Sequence, residues 1–467
     1  MAKKSDGGAV TVFTIPLKTR PYERDTLDSR FRVCCSIYNA MLSERMKAYD
    51  EMCSVPEYAE AKEITDAVTK LKKDDVTAED IQRAKDLRKS GEYKKALDTK
   101  KEYHTQFGFS EFSFTSLMAK HREYFKDIIP SNLAILSIAT PMWSAFEKLL
   151  YKDGRSCSYK RRDDWTSIAT NGKSGMRIVD GLGKTALCLE KGTKYFISVT
   201  SKKGKQLLIP VNIDKKDTYL EEIYGRSIKI VRLVRKLVKG KSAYLLQLTT
   251  EGKPPVKYDS NGNLVHPIGE GRISVFTDEK YFTVATESGD IIEIDISFPS
   301  YYDDRKAEIL QKMDESKRVS NPQNINPDGT FKNRKDNPSE QLVWHFSKTY
   351  RRYRQAKADI DRKEREARKV RSNVIANRIL ALGNDISINV RPFRTNVGSG
   401  AYKDNITRNA PSQILTVLKQ KMKAAGLDAP HEYKLPVKKE DKKRDGYRAD
   451  YAKELLHIRL QDLGEAE

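Results

Sequence analysis

The chain has 467 residues, with 87 lysines and arginines against 65 aspartates and glutamates, giving a formal net charge of +22. That length accommodates roughly three domains, and a positive excess both large and clustered points to a polyanionic partner rather than to solubility alone. No run of about 18 apolar residues occurs and the N-terminus lacks an apolar signal core, so a soluble, intracellular, cytoplasmic protein without membrane contact is expected. The cysteines are Cys34, Cys35, Cys53, Cys157 and Cys188, without a Cys-x-x-Cys pair; they encode neither a disulfide framework nor a zinc ribbon.

Residues 9–18 alternate as one strand that needs partners from later in the chain. From Leu27 the spacing turns helical, with Phe31, Cys34, Ile37, Tyr38, Met41 and Leu42 on one apolar face. Thr77-Ala-Glu-Asp reads as a capping box before a basic helix, and Asn132–Tyr151 is an apolar helical stretch that Pro141 should kink or break. Between Lys152 and His266 the period returns to two, predicting strands near Tyr195, Gln206, Ile228 and Ala243 that form a small β-barrel or sandwich. Basic residues run through this region, Lys202 and Lys203 among them. Tyr159 and Trp165 flank the triplet Lys160-Arg161-Arg162, a mix suited to phosphate contacts and base stacking. A solvated rim would have the same composition.

Gly269–Asp295 reads as a β-meander with a Ser-Gly-Asp turn. A helix is expected over 301–317, then a mobile polar loop over 318–340, then a long basic helix from about Gln341 to Leu382. That helix carries Arg351, Arg352, Arg354, Lys357, Arg365 and Arg368, and could follow a phosphate backbone or simply be solvated. A short strand over 385–391, a flexible loop to 403, a helix over 410–425, an irregular stretch over 427–446 and a final helix over 447–460 complete the chain.

Several stretches in this order, Phe31–Leu42, Trp143–Tyr151, Leu248–Pro255 and Ala376–Gly383, resemble the TnpB family of transposon-encoded RNA-guided nucleases, relatives of type V CRISPR effectors. The resemblance implies an α+β multidomain protein: a wedge β-barrel (1–20 and 151–267) with an inserted helical recognition domain (21–150), then a RuvC-like α/β domain of RNase H fold (268–426). Residues 427–446 would be a remnant of the family's zinc-ribbon region and 447–467 the final helix. In active relatives three acids hold two metal ions, and aligning the flanking matches puts Phe276, Asn389 and Ala449 in their places. Phenylalanine and alanine offer no hard oxygen ligand and asparagine only a neutral one, so a degenerate site without hydrolysis, bound metal or other cofactor is expected.

The competing reading is a nuclease whose acids have shifted to Asp278, Asp385 and Asp450. The implied partners are a guide RNA as ribonucleoprotein component and a double-stranded DNA target, with transcriptional repression by occupancy in a bacterial nucleoid as the expected outcome. Recruitment of a protein partner through 318–340 or 427–446 is the alternative.

Overall fold

The computed structural model describes residues 9–70, 77–129, 132–151, 156–161, 164–172, 175–200, 206–214, 216–259, 261–332, 342–390, 401–438 and 440–464. They divide into two compact units: Met1–Lys236 with Ser242–Gly252, and Leu237–Lys241 with Lys253–Glu467. The expected helical and wedge regions thus share one unit, while 253–267, read from sequence as wedge, falls in the second. Among the described residues no helix is long and apolar enough to cross a membrane.

The first unit opens with β1 (Val10–Leu17) and the helices α1 (Pro21–Ser54), α2 (Pro56–Lys70), α3 (Ala78–Lys89), α4 (Glu92–Gln106), α5 (Glu111–Glu123) and α6 (Asn132–Tyr151). β2 (Ser167–Thr170), β3 (Arg177–Asp180), β4 (Tyr195–Thr200), β5 (Gln206–Val211), α7 (Thr218–Glu221), β6 (Ile228–Val238) and β7 (Lys241–Glu251) follow. Thr77 caps α3 as its box predicts, and α6 continues through Pro141 without breaking.

Among the described residues the strands do not close into the expected wedge barrel. They form a four-stranded sheet in the order β1-β7-β6-β2 and a three-stranded sheet in the order β3-β4-β5. The edge strands β1 and β5 carry Pro16 and Pro210, which cannot donate a ladder hydrogen bond. The alternating inward residues Phe13, Ile15, Ile209 and Val211 instead share one apolar core with the buried stripe of α1. Asp28 of α1 ties that helix to the sheet, accepting hydrogen bonds from Tyr244 Oη (2.6 Å), Ser242 Oγ (2.9 Å) and Arg235 Nη1 (3.2 Å). Burial alone would raise its pKa, but these three partners hold it below the usual carboxylate value.

The second unit contains β8 (Arg272–Thr277), β9 (Tyr281–Thr286), β10 (Ile291–Asp295), α8 (Tyr301–Ser320), α9 (Lys348–Leu380), β11 (Asp385–Asn389), α10 (Ala401–Asn409), α11 (Pro411–Ala425), β12 (His431–Tyr433) and α12 (Tyr447–Asp462). β10, β9 and β8 form the antiparallel meander, and β11 and β12 extend it in parallel, giving the order β10-β9-β8-β11-β12. Ile273 and Val275 of β8 enter a core with Ile375 and Ile379 of α9 and Leu418 of α11. The alternate residue Phe276 enters a separate core with Tyr447 and Tyr451 of α12, so the sheet is covered on both faces.

Four local expectations change. The long helix starts at Lys348 because Ser347 caps it, accepting from Tyr350 N at 3.0 Å. Of the loop expected to be mobile over 318–340, residues 318–320 extend α8 and 321–332 form a lobe with a 3-10 turn and a bridge between Ile325 and Phe331. The stretch expected to be irregular holds β12, and α10 begins at Ala401, inside the expected loop; residues 391–400 lie outside the described residues.

Candidate functional site

β8 and β11 run parallel, with Arg272 opposite Asp385 and Val275 opposite Ile388, so Phe276, one residue before the end of β8, and Asn389, the last of β11, lie side by side. Phe276 is fully buried, stacked on Tyr451 at 5.4 Å between ring centroids and edge-on to Tyr447 at 6.2 Å. Asn389 is also fully buried; its Oδ1 accepts from Thr277 N (2.6 Å) and Thr277 Oγ1 (3.0 Å), while its Nδ2 has no partner among the described residues. The fold thus brings two of the three aligned positions together and fills them with an aromatic ring and an amide.

At the third aligned position the contacts come from neighbouring residues of α12. A helix turns about 100° per residue, and it is Tyr447, Arg448 and Tyr451, not Ala449, that meet the strand ends. Ala449 is half-buried and absent from the core that Phe276 enters. Arg448 reaches Asp278 with Nε (3.4 Å) and Glu293 with Nη1 (3.3 Å), its guanidinium 4.6 Å from the Tyr281 ring. Tyr447 Oη donates to Asp278 Oδ2 at 2.6 Å. Next to it, burial and then the Asp278 carboxylate push the Glu279 carboxyl up to about 7. A protein cation therefore sits among these acids. Sequence reading missed Arg448 because its acidic partners are more than 150 residues away.

The shifted acids are not assembled. Asp278 follows the last residue of β8 and Asp385 pairs with its first, so the two lie about 20 Å apart along adjacent strands at about 3.3 Å per residue. Two-metal centres need ions about 4 Å apart. Asp385 is instead held by Arg459 (3.1 Å), His431 (3.5 Å) and Arg272 (3.7 Å), and Asp450 by Arg444 (2.7 Å). Among the described residues no group of three His, Cys, Asp or Glu side chains could hold a metal ion.

The sequence-selected basic surface separates into exposed and committed side chains. Tyr159 (58% exposed), Lys160 and Arg161 lie on a strap whose backbone is gripped by α1. Asn39 accepts from Lys160 N (2.8 Å) and donates to Lys160 O (2.8 Å), and the Cys35 thiol donates to Arg161 O (3.2 Å). Neither gripping residue was recognisable in sequence. Trp165 is corrected: it is buried against Tyr38 at 5.5 Å, so its ring is core and not a base-stacking surface. Arg162, Lys202 and Lys203 lie outside the described residues.

On α9, Arg351, Arg352, Arg354 and Arg365 are exposed. By helical geometry Arg351, Arg354 and Arg365 fall within about 60° of one another, making one basic stripe. Lys357 and Arg368 are drawn inward. Lys357 pairs with Asp361 (2.8 Å), whereas Arg368 binds Glu364 (2.6 Å) and Thr407 O (2.7 Å) over the Phe298 ring.

No family model matches the chain, and no curated protein matches it. Among solved structures it is similar to the cryo-EM structure of the Cas12f1-sgRNA-target DNA complex, at 10% identity over 91% of this chain and 89% of that one, with a TM-score of 0.40. It is also similar to the cryo-EM structure of the CRISPR-Cas12f ternary complex, at 10% identity over 98% of this chain and 94% of that one, with a TM-score of 0.24.

Proposed function

We propose that this chain binds a guide RNA, uses it to occupy a matching double-stranded DNA site and does not cut that site. Polymerase blocked at the occupied site would then be the regulatory output. The observation that carries the reading is Phe276, an aromatic ring packed by Tyr447 and Tyr451 where the TnpB-like alignment expects a metal-binding aspartate. Asn389, bonded to Thr277 beside it, supports the same reading. Arg448 adds a further argument, because a guanidinium bonded to Asp278 and Glu293 opposes a divalent ion there both electrostatically and sterically.

Binding needs none of the missing carboxylates. A heteroduplex is recognised through its backbone and A-form shape, and the exposed arginines of α9 with the Tyr159–Arg161 strap supply cations for that purpose. The alternative of a nuclease using shifted acids is disfavoured by the separation of Asp278 from Asp385.

The test is purification from the native host in moderate salt followed by sequencing of the retained RNA. A discrete RNA with a structured body and a variable 3′ segment, together with binding but no magnesium-dependent cutting of DNA matching that segment, is the expected result. Random RNA lost as salt rises would overturn guided binding, and cutting abolished by Asp278→Ala would overturn the inactive centre.

A further inference from the structure

The N-terminal end of α9 is electrostatically odd. A helix N-terminus carries partial positive charge and favours acids, yet the first turn of α9 contains none. Lys348, Arg351, Arg352 and Arg354 are exposed there instead. In the free protein these cations oppose both the helix dipole and one another, so helix stability does not account for them. An anionic ligand at this end would turn every one of these interactions favourable.

Just before the helix, Phe346 is 37% exposed and stacks on Tyr350 at 4.6 Å with 26° between ring planes. The backbone leading to it is fixed by two buried asparagines of the lobe. Asn321 donates to His345 O (2.8 Å) and accepts from His345 N (2.6 Å), and Asn324 donates to Val343 O (2.8 Å). Lys317 Nζ lies 4.0 Å from the centroid of Phe331 and 3.8 Å from that of Trp344. The result is a partly exposed aromatic ring on a supported backbone, on the same side of α9 as the exposed Arg351 and Arg354. Such a pre-organised ring loses little entropy when a flat ligand lands on it.

We propose that Phe346, backed by Tyr350, is a stacking platform for an unpaired nucleobase whose flanking phosphates are held by Arg351 and Arg354. The inference rests on the nucleic-acid reading above and adds to it a specific site and a ligand class. RNA and DNA strands present the same base face and phosphates, and separate probes distinguish them.

The experiment uses the full chain with single-stranded RNA and single-stranded DNA oligonucleotides of one sequence, each carrying 2-aminopurine, titrated across a salt series. Base stacking contributes about 1–3 kcal/mol, so Phe346→Ala is expected to weaken binding roughly 5- to 150-fold with the salt slope unchanged and to remove the fluorescence quenching. Phe346→Trp should retain both, and Arg351→Ala should lower the slope by about 0.7. Quenching with RNA alone, DNA alone or both identifies the strand and supports the platform. If the Phe346 variants, checked as folded by thermal melting, bind and quench as wild type while Arg351→Ala weakens binding, the platform is overturned and the nucleic-acid reading stands. If the wild-type chain binds neither strand, both fall.

Discussion

At Phe276 a benzene ring fills the space between a strand end and the final helix, and its removal leaves a cavity bounded by Tyr447 and Tyr451. Phe276→Ala is expected to destabilise the chain by about 3–5 kcal/mol, measurable by denaturant or thermal unfolding. Phe276→Asp should cost at least as much, because the new carboxylate would be buried beside aromatic rings without a metal or a cation of its own.

Glu279 gives a pH signature. Its ordinary pKa of 4.5 rises to about 7 in the folded chain, from burial first and Asp278 second. Between these values the folded state holds a proton that the unfolded state has released, so this group makes stability fall as pH rises from about 4.5 to 7. Glu279→Gln is therefore expected to raise stability at pH 8 by about 1 kcal/mol, after allowance for solvent screening, and to change little at pH 4. Equal effects at both pH values in thermal melts would contradict this.

Among elements, α9 carries both exposed and committed arginines on neighbouring positions of its surface. Arg365 is exposed, whereas Arg368 is bonded to Glu364 and Thr407. Arg365→Ala should lower the slope of log binding constant against log salt by about 0.7–0.9 and leave melting unchanged. Arg368→Ala should cost about 1.5–3 kcal/mol of stability, as expected for hydrogen bonds to charged groups, and leave the salt slope alone. A reversed pattern would mean the stripe faces elsewhere. α12 has a comparable role as a clamp: Arg448→Ala removes a cation from the buried Asp278 and is expected to cost about 2 kcal/mol.

At the scale of the whole molecule, the proposed function asks the chain to be a binding scaffold whose structure is independent of divalent metal. A chelator should then leave the melting temperature of the RNA-free chain unchanged. A drop on chelation, with recovery on adding magnesium, would contradict the role given to Arg448.

The amino-acid sequence carries the order and type of most elements, because alternation and 3.6-residue spacing are local properties of the chain: the α1 stripe, the strands near 195, 206, 228 and 243, and the meander all follow from them. It also determined the excess of positive charge and the absence of carboxylates at Phe276 and Asn389. Tertiary structure decided what each side chain faces. Trp165 became core through Tyr38, Arg368 was drawn to Thr407, Arg448 reached acids across the sheet, and the 321–332 lobe was fixed by asparagine bonds to a later segment. The apolar period specifies which face of an element is buried, but each of these outcomes depends on a partner distant in the chain, which no local pattern encodes.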